Sequence, residues 1–166
     1  MGNFAEKMEF TEFTRDLLGI SCDFEVIKIE KEELKKEIYI YLEYLPTRYF
    51  KNNNYFPFYD KTPERTWQHL NWFEYKCYLK CSLPRYLNSE GKVVTIDVDF
   101  APKSRKYTNK FSSNVILFLK EIRVQSTVAK LLNTTPYIVR SIMEDAVDKA
   151  LINRGLVTDF KNVSLD

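Results

Sequence analysis

The feature that most constrains the fold of this chain is a change of hydrophobic period near Phe111. Before this residue apolar and polar residues alternate, as in half-buried strands, whereas after it apolar residues recur at about 3.6-residue intervals, as on one helix face. A strand-rich half followed by a helical half is typical of α+β proteins. We therefore predict an antiparallel β-rich module over residues 1–110 and a three-helix helix-turn-helix unit over residues 111–155.

The predicted module opens with a helix and a hairpin. Apolar residues at helical spacing that stop at Gly19 predict a helix from Glu9 to Leu18, which we expect to pack against the module. β-branched and aromatic residues, beginning at Phe24 and again over 38–45, predict two antiparallel strands that form scaffold.

The rest of the module is predicted to form a loop and a second hairpin. Prolines and consecutive asparagines mark residues 46–66 as a loop. A long strand is predicted over 66–83, and the polar connector 88–91 leads to its expected hairpin partner over 93–98. The long strand is expected to place six side chains on one face: Phe73, Tyr75, Cys77, Leu79, Cys81 and Leu83.

The chain has a net charge of +2, but its charged residues are distributed unevenly along the sequence. Residues 1–45 carry 6 basic and 11 acidic residues, residues 46–112 carry 12 and 6, and residues 113–166 carry 7 and 6. The middle segment therefore supplies a positive field, which favours a nucleic acid or another polyanion as partner. A solvated excess of charge without a partner is the alternative.

The composition also excludes several classes of protein. The chain has no apolar run of about 18 residues and no signal-peptide pattern, so we expect a soluble cytoplasmic protein that does not meet a membrane. Cys22, Cys77 and Cys81 lack the spacing of a disulfide scaffold and are expected to be reduced. Cys77 and Cys81 would lie roughly 13 Å apart along a strand, too far to share one metal ion.

Residues 124–142 carry the most informative pattern in the chain. Ala129 supplies the small residue that closely crossing helices need, and Asn133 tolerates the left-handed conformation of the turn. Thr134 or Thr135 can cap the next helix, and Pro136 suits its first turn. The apolar residues expected to pack across the angle are Val128, Leu132, Val139, Ile142 and Met143. These features predict a DNA-binding helix-turn-helix, with a plain helical hairpin as the alternative.

In such a motif the start of the second helix enters the major groove. The expected groove contacts are Thr135, Tyr137, Arg140 and Ser141. The expected phosphate contacts are Lys103, Arg105, Lys106, Lys110 and Lys130. Two alternatives stay open: Tyr137 could belong to the core, and Arg140 could pair with Glu144 at i, i+4.

The order of motifs resembles the N-terminal region of the ISL-three family of insertion-sequence transposases, from about residue 12 onward. The resemblance rests on Leu17-Leu18-Gly19, Arg65-Thr66-Trp67-Gln68-His69-Leu70, Leu83-Pro84-Arg85, the basic segment 103–111 and the predicted helix-turn-helix. It implies that a small zinc-finger-like β module and the helix-turn-helix hold the terminal inverted repeats of the element. Double-stranded DNA is then the expected partner.

The chain departs from that family at the expected zinc ligands. Asn52, Asn53 and Asn54 stand where the resemblance implies one ligand pair, and Asn88 and Gly91 stand at the other. Amide and glycine cannot replace thiolate or imidazole, so we expect neither structural zinc nor any other cofactor. His69, the single histidine, belongs to the Trp-x-His-Leu motif, and we expect it to be packed and hydrogen-bonded.

The resemblance also implies that residues 156–166 begin a DDE catalytic core, with Asp166 as its first aspartate. Two-metal chemistry needs three converging carboxylates, which the rest of this sequence does not supply. We therefore expect no enzyme activity from this chain alone. It would be a fragment, one half of a split transposase completed by a separate catalytic chain, or a repurposed DNA-binding protein. A homodimer is a possible oligomeric state.

A protein-interaction or regulatory module is the alternative to DNA binding. The acidic residues of segment 1–45 and a run of loop aromatics could meet another chain. Those aromatics are Tyr44, Tyr49, Phe50, Tyr55, Phe56, Phe58 and Tyr59.

Overall fold

The computed structural model describes residues 3–46, 49–51 and 54–153. These residues hold four helices and nine strands, which confirms the α+β class. They divide into two compact units, Met1–Phe111 and Ser112–Asp166, here called the first and second units. Residues 156–166, including Asp166, and the pair Asn52 and Asn53 lie outside the described residues.

The strands all lie in the first unit. They are β1 (Phe24–Glu32), β2 (Glu37–Tyr44), β3 (Tyr49–Lys51), β4 (Asn54–Phe56), β5 (Phe58–Lys61), β6 (Arg65–Trp72), β7 (Tyr75–Cys81), β8 (Pro84–Leu87) and β9 (Val93–Thr95). The helices are α1 (Asn3–Leu18), α2 (Asn109–Ile122), α3 (Gln125–Leu131) and α4 (Pro136–Asn153).

Helix α1 ends where the sequence predicted, because Gly19 adopts a positive φ of 69° that stops the helix. It begins earlier than predicted, at Asn3. Leu18 is buried against the first unit, as is Thr14, whose hydroxyl donates to the Phe10 carbonyl over 2.8 Å. The helix packs against the module as predicted, through contacts with β1, but three of its apolar side chains are exposed: Phe10, Phe13 and Leu17.

Strands β1 and β2 form the predicted antiparallel hairpin, but the module is not purely antiparallel. The main sheet has the order β1-β2-β7-β6, and β2 runs parallel to β7. The predicted single strand over 66–83 is wrong, because the chain reverses between Trp72 and Tyr75 to form an antiparallel hairpin. Phe73 occupies that turn with a positive φ of 54°. Neither turn residue is a glycine, asparagine or proline, so the sequence did not indicate a turn there.

The segment predicted as a loop contains three short strands, β3, β4 and β5. β3 pairs with β4, and β5 joins β8 and β9 in a second antiparallel sheet. The expected pairing of 93–98 with the long strand is therefore wrong, since β9 pairs with β8. Pro84 begins β8, where its missing N–H costs little at the first position of a strand.

The core of the first unit lies on one face of the main sheet. Five of the six side chains predicted to share a face are buried, and the exception is Phe73 in its turn. Trp67 and Phe24 each make an edge-to-face contact with Phe100, at centroid distances of 5.4 Å. Buried Leu42, Leu79 and Ile40 complete the centre.

Helix α2 begins in the first unit and contains the segment 113–121 that was predicted to be helical. Helices α3 and α4 belong to the second unit, where a short turn joins them. Within the described residues, no helix has the length and apolar character needed to cross a bilayer.

Candidate nucleic-acid interface

The turn between α3 and α4 has the local chemistry that its residues predict. Asn133 adopts a left-handed φ of 53°, and the N–H of Thr134 donates to the Ala129 carbonyl over 2.8 Å to close the end of α3. Thr135 caps α4, because its hydroxyl accepts the Ile138 N–H at 3.3 Å. Pro136 is the first residue of α4, where no N–H is required.

The inward faces of α3 and α4 are apolar and closely packed. Val128 and Ala129 of α3 are almost completely buried, as are Val139 and Ile142 of α4. Leu132 in the turn is buried as well, whereas Met143 is only half-buried. These side chains fix the two helices against each other within the second unit.

The opposite face of α4 is polar, and all of its residues named below are exposed except Ser141, which is half-buried. Tyr137, Arg140, Ser141 and Glu144 follow the i, i+3, i+4, i+7 spacing that aligns side chains on one helix face. Tyr137 is 79% exposed, which excludes the alternative that it belongs to the core. The start of α4 therefore presents a phenol, a guanidinium and a hydroxyl together.

Arg140 does pair with Glu144, as the second alternative anticipated. Its Nε lies 2.8 Å from a carboxylate oxygen of Glu144, and both side chains are exposed. An exposed i, i+4 pair contributes only about 0.3–0.5 kcal/mol. Exchanging this partner for a guanine edge or a phosphate is thus energetically easy, and Glu144 acts as a weak competitor for Arg140.

Charge limits how much of α4 can approach a polyanion. Glu144, Asp145 and Asp148 cluster in its middle, whereas its first two turns contain no acidic residue. The acidic part would repel phosphates, so only the N-terminal turns suit a groove. Lys130 on α3 is exposed and supplies a further positive charge in the same unit.

The predicted phosphate contacts at 103–110 belong to the first unit. Lys103 and Lys106 are exposed, and Arg105 is half-buried. The Lys103 ammonium lies 3.5 Å from a carboxylate oxygen of Asp97. Lys110 has a structural role that the sequence did not indicate, since its ammonium donates to the Leu17 carbonyl at the end of α1 over 3.0 Å. Lys103 and Lys106 are thus the members with the most freedom to reach phosphates.

His69 is buried and hydrogen-bonded, which confirms its predicted structural role. Its Nδ1 lies 2.8 Å from the hydroxyl of Thr108, and that hydroxyl also accepts the Phe111 N–H at 3.2 Å. Thr108 therefore caps α2, a role that a threonine just before a helical pattern could have indicated. Burial lowers the pKa of His69 to about 4, and the Lys110 ammonium contributes to the shift.

Cys77 and Cys81 are buried in the first unit, whereas Cys22 is exposed. Burial raises the pKa of Cys77 to about 12 and that of Cys81 to about 11, so both are neutral thiols at pH 7. Over the described residues, no three His, Cys, Asp or Glu side chains form a group that could hold a metal ion. Of the predicted aromatic anchors with described side chains, Tyr55, Phe58 and Tyr59 are exposed, and Tyr44 and Phe56 are half-buried.

Comparisons with protein-family models, curated proteins and solved structures give no match. The functional conclusion therefore depends on the geometry and chemistry of the α3–turn–α4 segment.

Proposed function

We propose that the chain binds double-stranded DNA sequence-specifically through the α3–turn–α4 segment, with the start of α4 in the major groove. The observation that carries the proposal is the division of α4 into two faces. Its packing residues are buried, while Tyr137 and Arg140 are exposed and lie, with the half-buried Ser141, near the positive N-terminal end of the helix.

The roles of the residues follow from their chemistry. Arg140 can donate two parallel hydrogen bonds to the O6 and N7 of guanine, and Ser141 can contact either kind of base. Thr135 and Tyr137 lie at the helix start, where hydroxyl groups commonly reach phosphate. Lys130, with Lys103 and Lys106 of the first unit, would add contacts that stabilise any duplex without reading its sequence.

The resemblance to ISL-three transposases supports a finer proposal. In it, the chain recognises the terminal inverted repeats of a mobile element, and a separate catalytic chain or a longer product supplies the DDE core. A repurposed DNA-binding protein would use the same surface. Both versions require the same contacts from α4.

The test begins with selection of preferred sites from a random duplex library by the full chain. Affinities for the selected duplex and for a scrambled duplex are then measured by fluorescence anisotropy. Arg140→Ala is expected to weaken binding to the selected duplex by roughly 10- to 100-fold, as loss of a bidentate base contact does, with less effect on the scrambled one.

Lys149→Ala is the matched control. It removes one positive charge from the same helix, nine residues or about 13 Å beyond Arg140, where the surface is already acidic. It should change neither affinity by more than about 2-fold. Equal losses on both duplexes for Arg140→Ala would make it a phosphate contact, and no loss would remove Arg140 from the interface.

A further inference from the structure

Two hairpin turns of the first unit emerge at the same end of the main sheet. Residues 33–36 join β1 to β2, and residues 73–74 join β6 to β7. Because β2 and β7 run parallel with Glu37 beside Lys76, the two turns are neighbours. The Lys76 N–H donates to the Lys36 carbonyl over 2.9 Å, which ties them together. We call residues 31–37 and 73–76 the paired tips.

Each turn of the paired tips displays one large apolar side chain. Leu34 is 95% exposed and Phe73 is 96% exposed. Among the large hydrophobic residues whose side chains the structure describes, the next most exposed is Tyr137 at 79%. Leu34 and Phe73 therefore add nothing to the core, and folding does not explain why apolar residues occupy these positions.

The backbone at Phe73 strengthens this point. Phe73 is the first of two residues in a tight hairpin turn and has a φ of 54°. Such positions favour glycine, asparagine or aspartate, because other side chains are strained there. A bulky aromatic residue that is both strained and exposed is best explained by contact with something outside the chain.

The charged side chains around these two residues balance to neutrality and are linked by polar contacts. The Tyr75 hydroxyl donates to a carboxylate oxygen of Glu33 over 2.6 Å. The Lys36 ammonium lies 3.8 Å from a carboxylate oxygen of Glu33 and 3.9 Å from one of Glu74. The hydrogen bond and ion pairs link one turn to the other. The rim comprises four lysines and four glutamates: Lys31, Lys35, Lys36, Lys76, Glu32, Glu33, Glu37 and Glu74.

We propose that the paired tips bind the paired tips of a second copy of this chain about a two-fold axis. A neutral rim gives no attraction for DNA or for an anionic membrane. A rim of mixed sign is complementary to itself, because a two-fold contact can place lysines against glutamates while Leu34 and Phe73 pack together.

The size of the surface sets the expected strength. An aromatic side chain buries about 150–250 Å², so two small tips stay below the roughly 1,200 Å² of a stable interface. The dimer should be weak, with a dissociation constant on the order of 10 to 100 μM. A dimer suits the proposed function, since two-fold DNA sites are read by paired recognition helices, but the contact itself does not require DNA.

The test is sedimentation velocity of the full chain from about 5 to about 300 μM without DNA. The wild type should show a reversible monomer–dimer equilibrium. Phe73→Gly and Leu34→Ser should each raise the dissociation constant at least roughly 10-fold. Leu151→Ser, which removes an exposed leucine from α4, should leave it unchanged.

Folding is checked separately. Phe73→Gly should not lower the thermal midpoint, because glycine suits the positive φ, and Phe73→Asn serves as a second relaxed variant. A wild type that stays monomeric over the whole range, or a Phe73→Gly chain that dimerises like the wild type, would overturn the proposal. Phe73-dependent flotation of monomers with phosphatidylcholine vesicles would overturn it too, by identifying a lipid surface as the occupant.

Discussion

The single histidine of the chain makes its stability sensitive to pH in a way that can be isolated. His69 is 3% exposed, and its pKa in the folded protein is about 4, against roughly 6.5 for an unfolded chain. Between these values the unfolded state binds more protons than the folded state. The stability associated with a neutral His69 is thus fully present above about pH 6.5 and is lost as the pH falls towards 4.

The magnitude follows from the two pKa values. Between about pH 7 and about pH 5, protonation of the unfolded chain at His69 should lower the free energy of unfolding by about 2 kcal/mol. Most carboxylates stay ionised over this interval, and no second histidine is present to confuse the result. The structural cause is burial beside Thr108, helped by the positive charge of Lys110.

The assay is urea unfolding at several pH values for the wild type and for His69→Asn, which removes the titratable ring but retains a group able to bond with Thr108. Between about pH 7 and about pH 5 the free energy of unfolding of the wild type should fall by about 2 kcal/mol, and that of the variant should fall by much less. The imidazole resonance in a proton NMR titration reports the folded pKa directly. A titration near pH 6.5, or equal pH dependence in both proteins, would refute the assignment.

Three further substitutions test local features. Thr135→Ala should lower the free energy of unfolding of the second unit by about 1 kcal/mol through loss of the α4 cap, whereas Thr135→Ser should not, as measured by urea unfolding. Gly19→Ala should cost more than Gly91→Ala in the same assay, because both have positive φ but only the Gly19 methyl would meet the end of the Lys110 side chain and displace its ammonium from the Leu17 carbonyl. Glu144→Gln should strengthen duplex binding by roughly 2- to 5-fold in anisotropy titrations, since it frees Arg140 and removes a negative charge, and weaker binding would contradict the assigned role.

Local chemistry made the α3–turn–α4 segment largely predictable from sequence. The left-handed Asn133, the capping Thr135 and the first-turn Pro136 each depend on neighbours only a few residues away. The buried positions followed from helical periodicity, with Met143 the partial exception. The exposure of Tyr137 was not decided by the pattern, because a tyrosine suits either a core or a surface.

Long-range pairing and unmarked turns explain most of what could not be predicted. The parallel pairing of β2 with β7 joins segments far apart in sequence, and no local pattern encodes it. The turn at Phe73 lacks turn-forming residues, so alternation seemed to continue through it. The role of Lys110 at the end of α1 depends on the folded first unit and has no sequence signature.

The most direct test of the central proposal is the salt dependence of binding by the full chain to its selected duplex. Affinity should fall steeply from about 50 to about 200 mM salt, and the double variant Lys103→Gln with Lys106→Gln should reduce the slope of log K against log salt by up to about 2. Preference for the selected duplex over a scrambled one should survive in that variant, because α4 carries the sequence reading. No measurable affinity for any duplex at the lowest salt would contradict the account.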